Sequence, residues 1–319
     1  MTDERLVLDD QTAGPTLSAH LRRWKEVPWS VAKEWCARGK VTVDGTVELD
    51  PGSRPRVGAV ILLTLASPNR NAPDALSLDR SRLVHCDAHV VVVNKPPGVN
   101  SVPFEEGERG SLVDRLAAML PRWKLAPPRA PLFVVHRLDR ETSGLLVFGR
   151  TWVAKRHLGM LFRKHDVERV YVAIVQGRMT LPRTIESMLV EDRGDGLRGS
   201  ARGKLPSGQG QRAVTHVRPL AVLQGATIVE CRLETGRQHQ IRIHLSEMGH
   251  PVLGDRVYAR GRDDMPKAPR VMLHARTLGF SRPGREEEEP EMLRFEAAVP
   301  DDMMEVLRSL GFREDRVPS

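Results

Sequence analysis

The chain reads as an α+β protein built on a mixed or antiparallel sheet flanked by helices, preceded by a small α/β domain. Three observations carry that reading. Apolar runs of strand length fall near 90–94, 132–135, 145–149, 167–175, 213–220, 226–234 and 271–280, and helical segments lie among them without strict alternation, which disfavours a doubly wound sheet. Near the N-terminus, helical spacing gives way to strand alternation and a tight turn. Between these regions lies a Pro-, Asn- and Ala-rich stretch with no sustained period. The expected division is a first domain at 1–66, a linker at 67–82 and a large domain at 83–319.

In the first domain, Leu17, Leu21 and Trp24 recur at i, i+4 and i+7, and Val31 with Trp35 continues the pattern in a second helix that stops at Gly39. Val41 to Val47 then reads as a hairpin, because Asp44-Gly45 supplies the positive φ angles of a type I′ turn. Arg22, Arg23, Lys25, Lys33, Arg38 and Lys40 face only Glu26 and Glu34, a surface suited either to phosphate contacts or to a small docking domain with solvated basic helices. In the large domain, a helix from Val153 to Lys164 carries an apolar stripe of Ala154, Leu158 and Leu161, with Lys155, Arg156, Arg163 and Lys164 off it. Gly194, Gly196, Gly199, Gly203, Gly208 and Gly210 predict a long mobile loop, with a phosphate cradle as the alternative, and Glu286 to Glu289 a solvated acidic turn. Ile241, Leu245 and Met248 share one face of a helix ending at Gly249. Asp301 to Leu310, closed by Gly311, predicts a terminal packing helix with acids in its first turn.

Composition bounds the function classes. A 319-residue chain that is 40% apolar can bury a sizeable core. Lys and Arg outnumber acids 49 to 41, giving a net charge of +8, a balance that suits a polyanionic partner. Cys36, Cys86 and Cys231 are odd in number and far apart, which argues against a disulfide framework or thiolate metal cage and for a reducing cytoplasm. No apolar stretch approaches the roughly 18 residues of a membrane span. A cytoplasmic monomer with no membrane partner is expected.

The stretch His136 to Phe148 places one acid, Asp139, among bases in a turn between the apolar runs Val134-Val135 and Leu145 to Phe148, with Thr142-Ser143-Gly144 supplying turn chemistry. Catalytic groups sit on loops pinned in this way. The alternative is a surface loop in which Asp139 pairs only with Arg137 or Arg140. Other site types fit poorly. His239 and His244, at i, i+5, lie about 140° apart on a helix, so no metal site is expected. Ser143, His136 and Asp139 lie within one turn and lack a nucleophile elbow.

His136-Arg137-Leu138-Asp139 with Thr142-Ser143-Gly144-Leu145-Leu146-Val147 resembles the signature of the RluA class of pseudouridine synthases. Three further segments resemble the same class in the same order: Asn94-Lys95-Pro96-Pro97-Gly98, Arg169-Val170-Tyr171-Val172-Ala173, and Leu233-Glu234-Thr235-Gly236-Arg237-Gln238-His239-Gln240-Ile241-Arg242-Ile243-His244. The first domain resembles the S-four-type RNA-binding module that often precedes these enzymes, departing from it at Trp29-Ser30-Val31, where Ser-Arg is usual, and at Asp44, where Asn is common.

The resemblance implies a sheet with a central catalytic cleft and isomerisation of uridine to pseudouridine in structured RNA, ribosomal RNA being favoured by the N-terminal module and transfer RNA remaining open. No cofactor is implied, because the base is detached, turned and rejoined through carbon 5 with no redox change. Asp139 is the implied catalytic carboxylate, attacking the anomeric carbon or removing a ribose proton. A buried acid stays ionised only beside a cation. Arg242, beside the buried stripe of its helix, is the expected bidentate partner. Tyr171 is expected to stack on the uracil and relay a proton, Arg137 to enter the space left by a flipped nucleotide, and Ile241 to form pocket wall. His136 and Arg237 complete the expected substrate contacts, with Lys95 as either a structural residue or a phosphate contact. The rival class is a non-catalytic RNA-binding or ribosome-assembly protein on the same fold.

Overall fold

The computed structural model describes residues 4–8, 16–37, 40–48, 50–64, 76–103, 109–201, 209–259, 261, 264–283 and 291–313. The expectations for Arg38, Gly39, Gly203, Gly208, the Glu286 to Glu289 run and most of the linker lie outside these residues. The chain divides into two compact units, 1–72 and 73–319.

The first unit contains β1 (Glu4–Val7), α1 (Leu17–Lys25), α2 (Trp29–Ala37), β2 (Val41–Val43), β3 (Thr46–Val47) and β4 (Val60–Leu63), with the strands in the antiparallel order β1-β4-β2-β3. Asp44 and Gly45 adopt φ of 50° and 80° between the paired residues Val43 and Thr46, the geometry of a two-residue type I′ turn. Asp44 earns its place there through Oδ1, which accepts from the Val60 N–H at 2.9 Å. Leu17 and Leu21 of α1, with Ala32, Trp35 and Cys36 of α2, pack on Val41, Ile61 and Leu63.

The second unit contains, in order, β5 (Leu83–Cys86), β6 (Val90–Lys95), α3 (Leu112–Arg122), β7 (Phe133–Val134), β8 (Ser143–Gly149), α4 (Trp152–Lys164), β9 (Glu168–Gln176), β10 (Arg183–Val190), β11 (Gly199–Ser200), β12 (Gln211–Val222), β13 (Ala226–Leu233), α5 (Gln240–Glu247), β14 (Leu273–Ser281), β15 (Met292–Glu296) and α6 (Asp301–Ser309). One mixed sheet runs β11-β10-β12-β13-β9-β14-β8-β6-β5, with β15 added to β14 and β7 to β8. Its neighbours are antiparallel except β14 and β8, which run parallel. At that joint Gly144 has φ +115°, and a Cβ there would overlap the Ala275 backbone, so only glycine lets the strands meet.

Both faces of the sheet are covered, which is why β6 reads as an unbroken run of valines. Val91 and Val93 join Leu112, Leu116 and Leu120 of α3 in one core, while Val90 and Val92 join Ala154, Leu158 and Leu161 of α4 in another. Ser111 and Asp114 form a capping box on α3, and Thr151 caps α4.

Three local expectations are corrected. Ser143 and Gly144 belong to β8, and the turn closes earlier, with the Thr142 N–H donating to the Asp139 carbonyl at 3.1 Å. The described part of the glycine-rich loop is held in place: Asp192 Oδ1 accepts from Gly194 and Gly196 N–H at 2.8 and 2.7 Å, and β11 pairs with β10. Strand β10 itself was not expected, because most of its side chains are exposed or half-buried and leave no apolar run to read.

Candidate active site

Asp139 sits on the segment joining β7 to β8, and three neighbours fix it. Ser101 Oγ accepts from the Leu138 N–H at 3.0 Å and donates to the Leu138 carbonyl at 2.8 Å. The Gly98 N–H donates to the Arg140 carbonyl at 2.9 Å. Lys95 Nζ donates to the carbonyls of Arg140, Pro96 and Val99 at 2.9, 2.9 and 2.8 Å. Of its two expected roles, Lys95 thus takes the structural one and is not a substrate contact. It is fully buried, and its three N–H groups are consumed in bracing the loop that carries Asp139. Burial brings its ammonium down to about 7, with Glu141 and Asp139 opposing the shift.

Arg242, 7% exposed on α5, stands between two carboxylates. Nη1 donates to Asp139 Oδ2 at 3.3 Å, while Nε and Nη2 donate to Asp255 Oδ2 and Oδ1 at 2.6 and 2.9 Å. The bidentate partner is therefore Asp255 and not Asp139 as expected, because the guanidinium fork is already filled from the side away from the cavity. Asp255 Oδ1 also accepts from the Val257 and Tyr258 N–H groups at 3.0 Å each. Just before it, Gly254 has φ +77°, and a Cβ there would overlap the Arg270 carbonyl. A ring of contacts closes through Tyr258, whose hydroxyl lies 2.9 Å from His239 Nδ1, and His239 Nε2 lies 3.8 Å from Asp139 Oδ1. Asp255, Tyr258 and His239 were not read as site residues. The available signal was the lone acid Asp255 after Gly254, at the end of the apolar run Val252-Leu253.

A cavity of about 230 Å³ opens beside Asp139, smaller than the roughly 300–1,000 Å³ of drug-sized pockets and suited to a single base. Tyr171, Ile241 and Leu233 line it, with His136, Phe162 and Arg169. Tyr171 and Ile241 are buried wall residues. His136 stacks on Phe162 at 4.4 Å and its Nε2 accepts from the Val147 N–H at 3.1 Å, which places the proton of the neutral ring on Nδ1. Arg137 and Arg237 also line the cavity; Arg137 is exposed and has no partner among the described residues, and Arg237 Nε donates to the Arg212 carbonyl at 3.1 Å. Arg169 leaves Nε buried without a hydrogen-bond partner beside the cavity. The fold thus gathers every expected site residue except Lys95 around one cavity. Elsewhere, Ser143 Oγ contacts His274 at 2.9 Å, and His244 contacts Thr215 and Ser187 at 2.9 and 3.0 Å.

Burial opposes ionisation of Asp139, but the His239 and Arg242 charges and the Arg242 hydrogen bond outweigh it and hold the carboxyl below the usual carboxylate range. His239 is itself pushed below its ordinary value, chiefly by burial, so Arg242 is the permanent cation of the site at neutral pH. Burial also raises the Tyr171 phenol to about 12 and brings His136 down to about 3. Because a depressed carboxyl stays ionised until the pH falls through its folded value, the acid limb of activity dependent on Asp139 is expected only below about pH 4. A pH–rate profile with an acid limb centred near 6 would contradict this.

The RNA pseudouridylate synthase family model matches residues 89–247. The ribosomal large subunit pseudouridine synthase D of Xylella fastidiosa is 34% identical over 317 residues, covering 96% of this chain and 91% of that protein. The protein of the same name from Vibrio cholerae is 36% identical over 298 residues, covering 89% and 86%. Among solved structures, human RNA pseudouridylate synthase domain containing 4 superposes with a TM-score of 0.58 at 26% identity, covering 72% of this chain and 93% of that one.

Proposed function

Because the chain belongs to the RNA pseudouridylate synthase family, we propose that it isomerises uridine in large-subunit ribosomal RNA, with Asp139 as the carboxylate acting at the ribose. One observation carries the assignment of Asp139: an ionised acid, a quarter exposed, stands at a base-sized cavity with its charge held by Arg242 at 3.3 Å. The bond between uracil N1 and the anomeric carbon breaks, the base turns within the cavity, and carbon 5 bonds to the same carbon and then loses its proton. An ionised Asp139 serves either as nucleophile or as ribose base. Tyr171, a neutral phenol raised further to about 12, stacks on the turning base and relays the proton from carbon 5 by passing its own hydroxyl proton on, the released N1 gaining one, so that the net change is an isomerisation. Arg137, exposed at the cavity and unpaired among the described residues, fills the gap left in the RNA stack. The large-subunit substrate is supported by the names of the relatives, ribosomal large subunit pseudouridine synthases D.

Pseudouridine mapping of total RNA from cells with the gene, without it, and with Asp139→Asn tests this reading. Sites in large-subunit ribosomal RNA should disappear in both altered strains. Loss confined to transfer RNA would move the substrate, and an unchanged map would overturn the reading.

The proposal extends to residues 1–66 as an S-four-type RNA-binding module, in an enzyme that works as a cytoplasmic monomer. Supporting the module, Arg22 and Lys33 lie 5.1 and 5.8 Å from the ring of the exposed Trp29. Arg22→Gln with Lys33→Gln should weaken RNA binding and reduce the slope of log affinity against log salt by about 1–2. An unchanged slope would leave this unit a docking domain.

A further inference from the structure

Trp152, the first residue of α4, is 65% exposed, more than any other described large apolar side chain. Its ring is nevertheless fixed. Thr151 caps the helix beneath it by accepting the Ala154 N–H at 3.1 Å. The Phe133 ring packs against it at 4.9 Å, and Lys155 Nζ lies 4.3 Å from the Trp152 centroid and 5.4 Å from that of Phe133. We propose that Trp152, braced by Phe133 and Lys155, is a stacking platform for an unpaired RNA base a few nucleotides from the uridine held at Asp139; the inference rests on the function proposed above.

Two elements connect this patch to the cavity. Phe133, on β7, lies two and three residues before the cavity residues Val135 and His136, and α4 carries Trp152 at one end and the cavity residue Phe162 ten residues along, about 15 Å away. Charge selects the occupant. Lys155, Arg156, Arg163 and Lys164 give α4 four bases and no acid, and none of the four pairs with a carboxylate among the described residues. Protein interfaces are depleted in lysine, and two copies of such a face would repel each other. Aromatic rings among phosphate-tracking bases are instead the means by which proteins hold single strands without sequence preference.

The test measures binding of fluorescein-labelled octauridylate to the full-length protein across a salt series. Trp152→Ala should weaken affinity about tenfold, Trp152→Phe by no more than about threefold, and neither should change the salt slope, since no charge is lost. An octamer with abasic sugars should bind wild type and Trp152→Ala equally. The proposal fails if Trp152→Ala binds octauridylate as wild type does, if the abasic octamer shows the same loss, if wild type does not bind octauridylate, or if Trp152→Ala alters self-association alone. Isomerisation of a large-subunit ribosomal RNA transcript by wild type, assayed in parallel, separates the two readings. No pseudouridine there, with a Trp152-dependent octamer affinity, would sink the proposed function and leave the platform standing.

Discussion

Asp139→Asn is expected to lower single-turnover pseudouridine formation by about a thousandfold or more while leaving RNA affinity within about tenfold. The amide matches the carboxylate in shape, and its oxygen can still accept the Arg242 Nη1 hydrogen bond seen at 3.3 Å. It is neither a competent nucleophile nor a base at the ribose. Binding should persist because phosphate contacts made by other residues dominate affinity. Stability should change by no more than about 1–2 kcal/mol, since Arg242 keeps its bidentate bond to Asp255. A variant that turns over within tenfold of wild type would remove Asp139 from the chemistry.

Arg242→Met is expected to be the most destabilising substitution at the site, at about 3–5 kcal/mol in a denaturant titration, and to abolish turnover. It strands Asp255, whose side chain is fully buried, without its counter-charge. It also releases Asp139 from the cation that depresses its pKa, so any residual rate should show an acid limb at higher pH than wild type. The double variant Arg242→Met with Asp255→Asn separates fold from chemistry. An asparagine oxygen can still accept from the Val257 and Tyr258 N–H groups, so most of the stability should return. The rate should not. A single variant as stable as wild type, or an acid limb that does not move, would mean that Arg242 does not hold the two carboxylates as described.

Much of this protein was legible in its sequence because the deciding interactions are local. The Asp44-Gly45 turn follows from backbone conformations that those two residues tolerate, and the Ala154, Leu158 and Leu161 stripe from helical spacing alone. The valines of β6 announce a strand covered on both faces. Asp139 stood out as an acid in a short loop between two apolar runs, and Arg242 fell beside a buried helical stripe. The resemblance to a family supplied the roles, which periodicity could not.

Tertiary structure decided the rest, where a side chain's partner lies far along the chain. Lys95 reads from the sequence as either a structural residue or a phosphate contact, and it becomes a loop brace because the Arg140 carbonyl, 45 residues on, is folded against it. Whether Arg242 spends its fork on Asp139 or on Asp255 depends on Gly254 passing close under Arg270 and setting Asp255 in reach. The parallel joint of β8 and β14 needs Gly144 to meet Ala275. Short-range periodicity and turn chemistry are set by steric and solvation preferences of neighbouring residues, so the sequence determined most of the elements, though not β10, and the candidate acid. Pairing of buried charges is set by which distant backbone and side-chain groups remain unsatisfied once the sheet has closed, and that only the folded chain could decide.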